Sequence, residues 1–148
     1  GKAIANGYPI SALVGKDSLK ESAENVYFTG TQFLNSAPMA AAKATIDELV
    51  KQDAVTKMNN FGNLLKESLV KIAEDFDVKM IVSGVPAMPY FRIEDEDKTL
   101  HSRWVDACLS KGLYLTDYHN HFISVAHEEE HLKKVEDIAR AAFEVVKL

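Results

Sequence analysis

The chemistry this chain could carry sits in a few short stretches. Lys2 stands near the front, followed by Ala3-Ile4-Ala5-Asn6, a Gly7-Tyr8-Pro9 corner and the apolar run Ile10-Ser11-Ala12-Leu13-Val14-Gly15. An amine on a flexible stem at a tight turn can attack an aldehyde and then move a proton. A lysine ammonium, ordinarily titrating at roughly 10.4, must first lose its proton, which a partly desolvated pocket beside another cation favours. Thr29-Gly30-Thr31 lies between an apolar triplet and a helix, where backbone N–H groups and a hydroxyl can bind phosphate. Tyr118-His119-Asn120-His121 could hydrogen-bond a polar substrate, and a solvated loop accounts for it equally well.

His127-Glu128-Glu129-Glu130-His131 spells H-E-x-x-H, the spacing of a zinc hydrolase helix. That site needs both histidines on one face inside a helix, a glutamate base and a third ligand downstream. Here His127 directly follows the apolar Ile123-Ser124-Val125-Ala126, so it falls at the mouth of the last helix. Acids at a helix start are explained by the helix dipole alone. A zinc hydrolase built on His127 and His131 is a remote alternative, and no metal site is expected.

Composition narrows the field. The chain has 148 residues, enough for one ordinary domain, with 47% hydrophobic and 26% charged residues, as in soluble globular proteins. A net charge of −5 supplies no basic stripe for phosphates, so no nucleic-acid partner is expected. Cys108 is the single cysteine, which rules out an internal disulfide and points to a reducing, cytoplasmic setting. No apolar run approaches the 18 or so residues of a membrane span.

The elements that must position these residues follow from periodicity. Residues 10–15 read as a buried strand, and Asp17 as the cap of a short helix from Ser18 to Ala23 that turns Leu19 inward. Val26-Tyr27-Phe28 reads as a second strand. An alanine-rich helix is expected over 36–50, with Pro38 in its first turn. A longer helix over 54–76 carries the stripe Met58, Phe61, Leu65, Leu69, Ile72 and Phe76. Strands are expected over 78–83 and 88–93, then an acidic loop at Glu94-Asp95-Glu96-Asp97. A helix over 98–110 turns Leu100, Trp104 and Cys108 inward and stops at Gly112. Two short strands, 113–115 and 121–126, precede a last helix over 128–146 with Leu132, Val135, Ile138, Ala142 and Val145 on one face. The order over 54–148 suits a small antiparallel or mixed sheet covered on one face by helices.

The string from Gly1-Lys2 through Gly7-Tyr8-Pro9-Ile10-Ser11-Ala12 resembles the segment around the cofactor lysine of class III aminotransferases. Within them it is most similar to the glutamate-1-semialdehyde 2,1-aminomutase-like branch of the fold type I pyridoxal-phosphate enzymes. The resemblance is strongest over 1–15, moderate over 26–50 and 112–132, and weak elsewhere. It implies an α/β fold, the C-terminal part of a fold type I transferase, with 1–53 ending the large domain and 54–148 forming a small α+β C-terminal domain. The Gly-Lys start reads as a piece of a larger enzyme, inactive alone.

The same resemblance implies that Lys2 is the Schiff-base lysine and catalytic proton carrier, with pyridoxal 5'-phosphate as cofactor. Gly30 and Thr31 then reach the cofactor phosphate of the neighbouring subunit, which implies a homodimer with shared active sites. The activity implied is amino transfer between an amino acid or amine and a carbonyl acceptor. The alternative is a 2,1-aminomutase that moves the amino group within one substrate. Two departures matter. Where the family has Gly-Asn-Pro after Gly-Thr, this chain has Gln32-Phe33-Leu34-Asn35-Ser36-Ala37-Pro38. No glutamate stands in Tyr118–His121, where the aminomutase has a Phe-Glu segment. The first keeps the phosphate contact but alters the nearby substrate mouth; the second loosens the tie to glutamate semialdehyde and favours a true aminotransferase.

Overall fold

A computed structural model describes residues 1–96 and 99–147. The expected acidic loop and the start of the following helix include Asp97 and Lys98, which lie outside the described residues. The chain divides into two compact units, Gly1–Asp53 and Ala54–Leu148.

The first unit begins with a tight turn. Asn6 N–H donates to the Ala3 carbonyl and Tyr8 N–H to that of Ala5, each at 3.1 Å. Asn6 and Gly7 both have positive φ, 46° and 105°, a backbone that asparagine and glycine tolerate best. The strands expected over 10–15 and 26–28 do not form. Leu13 is 90% exposed and Tyr27 91%. A strand needs a laddered neighbour, and neither run meets one within this unit. The short helix is a 3-10 turn, Asp17–Leu19, running into α1, Lys20–Glu24. Asp17 is its first residue rather than its cap, Lys16 holds the cap position without a side-chain bond, and Leu19 faces outward.

Helix α2, Ser36–Lys51, matches its expected span. Asn35 caps it by accepting from Ala37 N–H at 3.3 Å, and buried Pro38 sits in the first turn, where its missing N–H costs nothing. Only Ala5, Pro38 and Ala42 are buried in this unit, so its apolar residues are largely at its surface.

The second unit has a true core. Helix α3, Ala54–Asp75, carries Leu65, Leu69 and Ile72 inward, with Met58, Phe61 and Phe76 packed beside them. Asp77 then adopts φ 54°, and Val78 N–H returns to the Ala73 carbonyl at 2.9 Å, closing the helix end. Strands β1, Met80–Ser83, and β2, Tyr90–Ile93, pair antiparallel with Met80 opposite Ile93 and Ser83 opposite Tyr90. Helix α4, Leu100–Ser110, buries Trp104 and Cys108 as expected and adds His101, Val105 and Ala107. Helix α5, Glu129–Val146, buries Ala139, Ala142, Phe143 and Val146. The expected inward Val145 is 53% exposed, because the buried face is centred on Phe143. Phe143 stacks between Trp104 at 5.2 Å and Phe76 at 5.5 Å, tying α3, α4 and α5 together.

The two strands expected over 113–115 and 121–126 are not formed. Residues 121–123 nevertheless run beside β2: His121 N–H donates to the Pro89 carbonyl at 2.8 Å and Ile123 N–H to that of Ala87 at 3.0 Å. Pro89 has no N–H to return, so a regular ladder cannot close there. The sheet therefore stops at two strands among the described residues.

Candidate functional site

Lys2 is exposed on the turn it begins, and its carbonyl accepts from Gly7 N–H at 3.3 Å. Gly1 lines a cleft of about 370 Å³ in the first unit, together with Ile10, Ser11, Thr29, Gly30 and Asn35. The structure brings Gly1 and Gly30 to one cleft, but neither Lys2 nor Thr31 lines it. Phe33 N–H closes a turn onto the Gly30 carbonyl at 2.9 Å. No side chain or backbone lies within 4 Å of where a Gly30 Cβ would stand. Lys2 and the Gly30–Thr31 turn are each exposed.

Phe28, Phe33 and Leu34 give this cleft an apolar rim. Phe28 and Phe33 meet edge to face at 6.2 Å. Leu34 holds φ 62°, a strained conformation for a branched side chain.

A second cavity, about 410 Å³, lies wholly within the second unit. It gathers His119, Asn120, His121 and His127 against Phe61, Phe91 and Phe122. Each histidine ring faces one phenylalanine: His127 with Phe61 at 5.3 Å, His121 with Phe91 at 5.7 Å, His119 with Phe122 at 5.9 Å. The helical stripe assigns Phe61 to the core and gives no hint that it faces a cavity. Only the clustering of histidines in sequence signalled this place.

The second unit also buries a polar side chain. His101 is 4% exposed, and its Nδ1 accepts from Ile93 N–H at 3.3 Å. Burial lowers its pKa, outweighing the pull of the Asp117 carbonyl and of the Asp117 and Asp95 carboxylates. His121 is lowered in the same way, chiefly by burial and against the Pro89 carbonyl.

The zinc arrangement does not form. Helix α5 starts at Glu129, so His127 precedes it, and its Nδ1 is turned onto Ser124 N–H at 3.0 Å. His131 Nδ1 instead accepts from Glu128 N–H at 3.0 Å, half of a reciprocal cap. No group of three metal-ligating side chains occurs among the described residues.

The class-III aminotransferase family model matches residues 1–141. The chain belongs to that family. It is 31% identical over 147 residues to an aminopentol aminotransferase of Sphingopyxis macrogoltabida, covering 99% of this chain and 35% of that protein. It is 31% identical over 149 residues to a glutamate-1-semialdehyde 2,1-aminomutase of Methanothrix thermoacetophila, covering 90% of this chain and 34% of that protein. Among solved structures it superposes on the PLP internal aldimine form of the Sphingopyxis sp. MTA144 FumI protein with a TM-score of 0.91. That match has 30% identity and covers 99% of this chain and 36% of the other. A PLP-bound transaminase at 19% identity and TM-score 0.83 shares the fold. The chain therefore spans about a third of the length of these class-III relatives. Its α/β architecture is that of the corresponding part of a fold type I transferase.

Proposed function

We propose that this chain is the part of a pyridoxal-5'-phosphate-dependent aminotransferase that carries its cofactor lysine, Lys2. The observation that supports this best is the match at 31% identity along nearly the whole chain to an aminopentol aminotransferase, with Lys2 on an exposed turn. Two of the named relatives are aminotransferases, one for aminopentol and one for 3-aminobutyryl-CoA. When bound, the cofactor supplies an electrophilic aldehyde and an electron sink. Lys2 Nζ would hold it and would carry the proton at the substrate carbon. Backbone N–H groups at Gly30 and the Thr31 hydroxyl would hold its phosphate across a homodimer interface. Residues 1–53 end the large domain, residues 54–148 form the small one, and the enzyme works in the cytoplasm on a small amino donor and a carbonyl acceptor.

A 2,1-aminomutase is the second reading, favoured by the aminomutases among the relatives. The absence of glutamate from Tyr118–His121 weighs against it. To separate the two, the full-length protein is given the cofactor, an amine donor and pyruvate. Formation of alanine with release of the donor's carbonyl product is expected. Isomerisation of glutamate semialdehyde without a released product would instead establish the mutase, and failure of both reactions would overturn the proposal.

A further inference from the structure

We propose that the loop 116–121, one wall of the second-unit cavity, is a flap that acid opens, latched by the neutral imidazole of His121. Thr116, Tyr118, His119, Asn120 and His121 all line the cavity, so the position of this loop sets how open it is. The latch joins the two ends of the loop. Thr116 N–H donates to His121 Nε2 at 3.3 Å. A backbone N–H can only donate, so that nitrogen must present its lone pair. The histidine itself is anchored: its backbone N–H donates to the Pro89 carbonyl at 2.8 Å, and its ring lies 5.7 Å from that of Phe91. When His121 takes up a proton, both ring nitrogens carry hydrogen, and two donors face each other across the neck of the loop.

Other bonds keep the opening local. The Tyr90 hydroxyl donates to the Asp117 carbonyl at 3.0 Å, and the Ser102 hydroxyl to the Asp117 carboxylate at 3.3 Å. They tie the loop to β2 and α4 whatever the state of His121. Thr116 keeps its hydroxyl bond to the His119 carbonyl at 3.1 Å. The loop therefore parts at its neck and stays attached. The surroundings of His121 favour the closed form. Burial holds its pKa down against the Pro89 carbonyl, which favours the charged ring, while His101 of α4 and His119 of the loop oppose a further positive charge. Around His101 stand Arg92 of β2, Asp117 of the loop and Asp95 ahead of α4. With the latch open, a solvated imidazole takes its proton near pH 6.5. The flap is thus shut above that pH and parts as the pH falls below it.

The test is amide hydrogen exchange of the full-length protein at pH 7.5 and 5.0, read at the Thr116 amide by fragmentation mass spectrometry. Each rate is divided by that of the unfolded peptide at the same pH. Protection of Thr116 should fall severalfold at pH 5.0, with a ceiling of about thirtyfold for an imidazole that titrates near 6.5 when open. Amides of α3 and α5 should stay better protected than Thr116 at both pH values, which marks the opening as local. His121→Gln offers Thr116 N–H an oxygen that does not titrate, and should abolish the pH effect while keeping the protection. His121→Leu, with no acceptor, should leave Thr116 poorly protected at both pH values. His119→Gln and His101→Asn should each leave the effect in place. The inference is overturned by equal wild-type protection at the two pH values, or by Thr116 exchange no faster than that of α3 and α5. A fall that persists in His121→Gln, or that vanishes in His119→Gln or His101→Asn, would overturn it as well.

Discussion

Cys108 and His101 show how burial decides what a reactive side chain does. Cys108 is fully buried, and burial pushes its thiol up to about 12, so the thiolate that reacts with electrophiles is scarce at neutral pH. Native protein should therefore leave Cys108 unlabelled by Ellman's reagent, with full labelling only after unfolding in guanidinium. His101 is buried neutral. Its folded pKa is lowered by burial, while the unfolded chain takes up the proton near pH 6.5. The unfolded state thus binds more protons just below that pH. Stability is fully present above about pH 6.5 and declines as the pH falls through and below it. Urea unfolding at pH 7.5 and 5.5 should show this decline. His101→Asn, which keeps an acceptor for Ile93 N–H but cannot titrate, should show a smaller one. The sequence makes Trp104 and Cys108 legible as inward residues, but not His101, because histidine carries no fixed preference for the interior.

Among the elements, the four long helices were readable and the strands only in part. Helices α2 to α5 satisfy their own backbone, so the spacing of residues such as Leu65, Leu69 and Ile72 suffices to find them. A strand depends on a neighbour that its own residues do not specify. Ile10–Gly15 and Val26–Phe28 are apolar enough for strands yet stay unpaired, and Pro89 interrupts the ladder that 121–123 would join. The candidate site was legible to the same extent. The sequence locates Lys2, Gly30 and the histidines, but Phe61 and Phe122 join the cavity through packing that no local pattern encodes.

One inter-element contact gives a sharp test. Gly62 in α3 lies against the turn between β1 and β2, and a Cβ there would stand 1.9 Å from the Pro86 carbonyl oxygen. Glycine to alanine within a helix normally gains about 1 kcal/mol. Here the backbone-to-backbone clash should reverse the sign, and Gly62→Ala should cost roughly 1–3 kcal/mol in urea unfolding. An unchanged or raised midpoint would mean that α3 and this turn are not so closely packed.

Taken whole, the chain joins a unit with a packed core to one whose apolar residues lie mostly on its surface. The core of the second unit runs from Leu65 through Phe91 and Trp104 to Phe143. The first unit buries three residues and presents Leu13, Val14, Tyr27 and Phe28 to the outside. The candidate residues are divided in the same way. The first unit carries Lys2 and the Gly-Thr turn, and the second carries the histidine-lined cavity. Family membership ties the chain to pyridoxal-phosphate transaminases, and within that frame everything proposed about the reaction returns to one amine.

The most direct measurement is borohydride reduction of the full-length protein loaded with pyridoxal phosphate, followed by peptide mass spectrometry. The account predicts a stable phosphopyridoxyl adduct on Lys2 and on no other lysine, and its loss in Lys2→Ala together with amino transfer. An adduct elsewhere, or transfer that persists in Lys2→Ala, would contradict it.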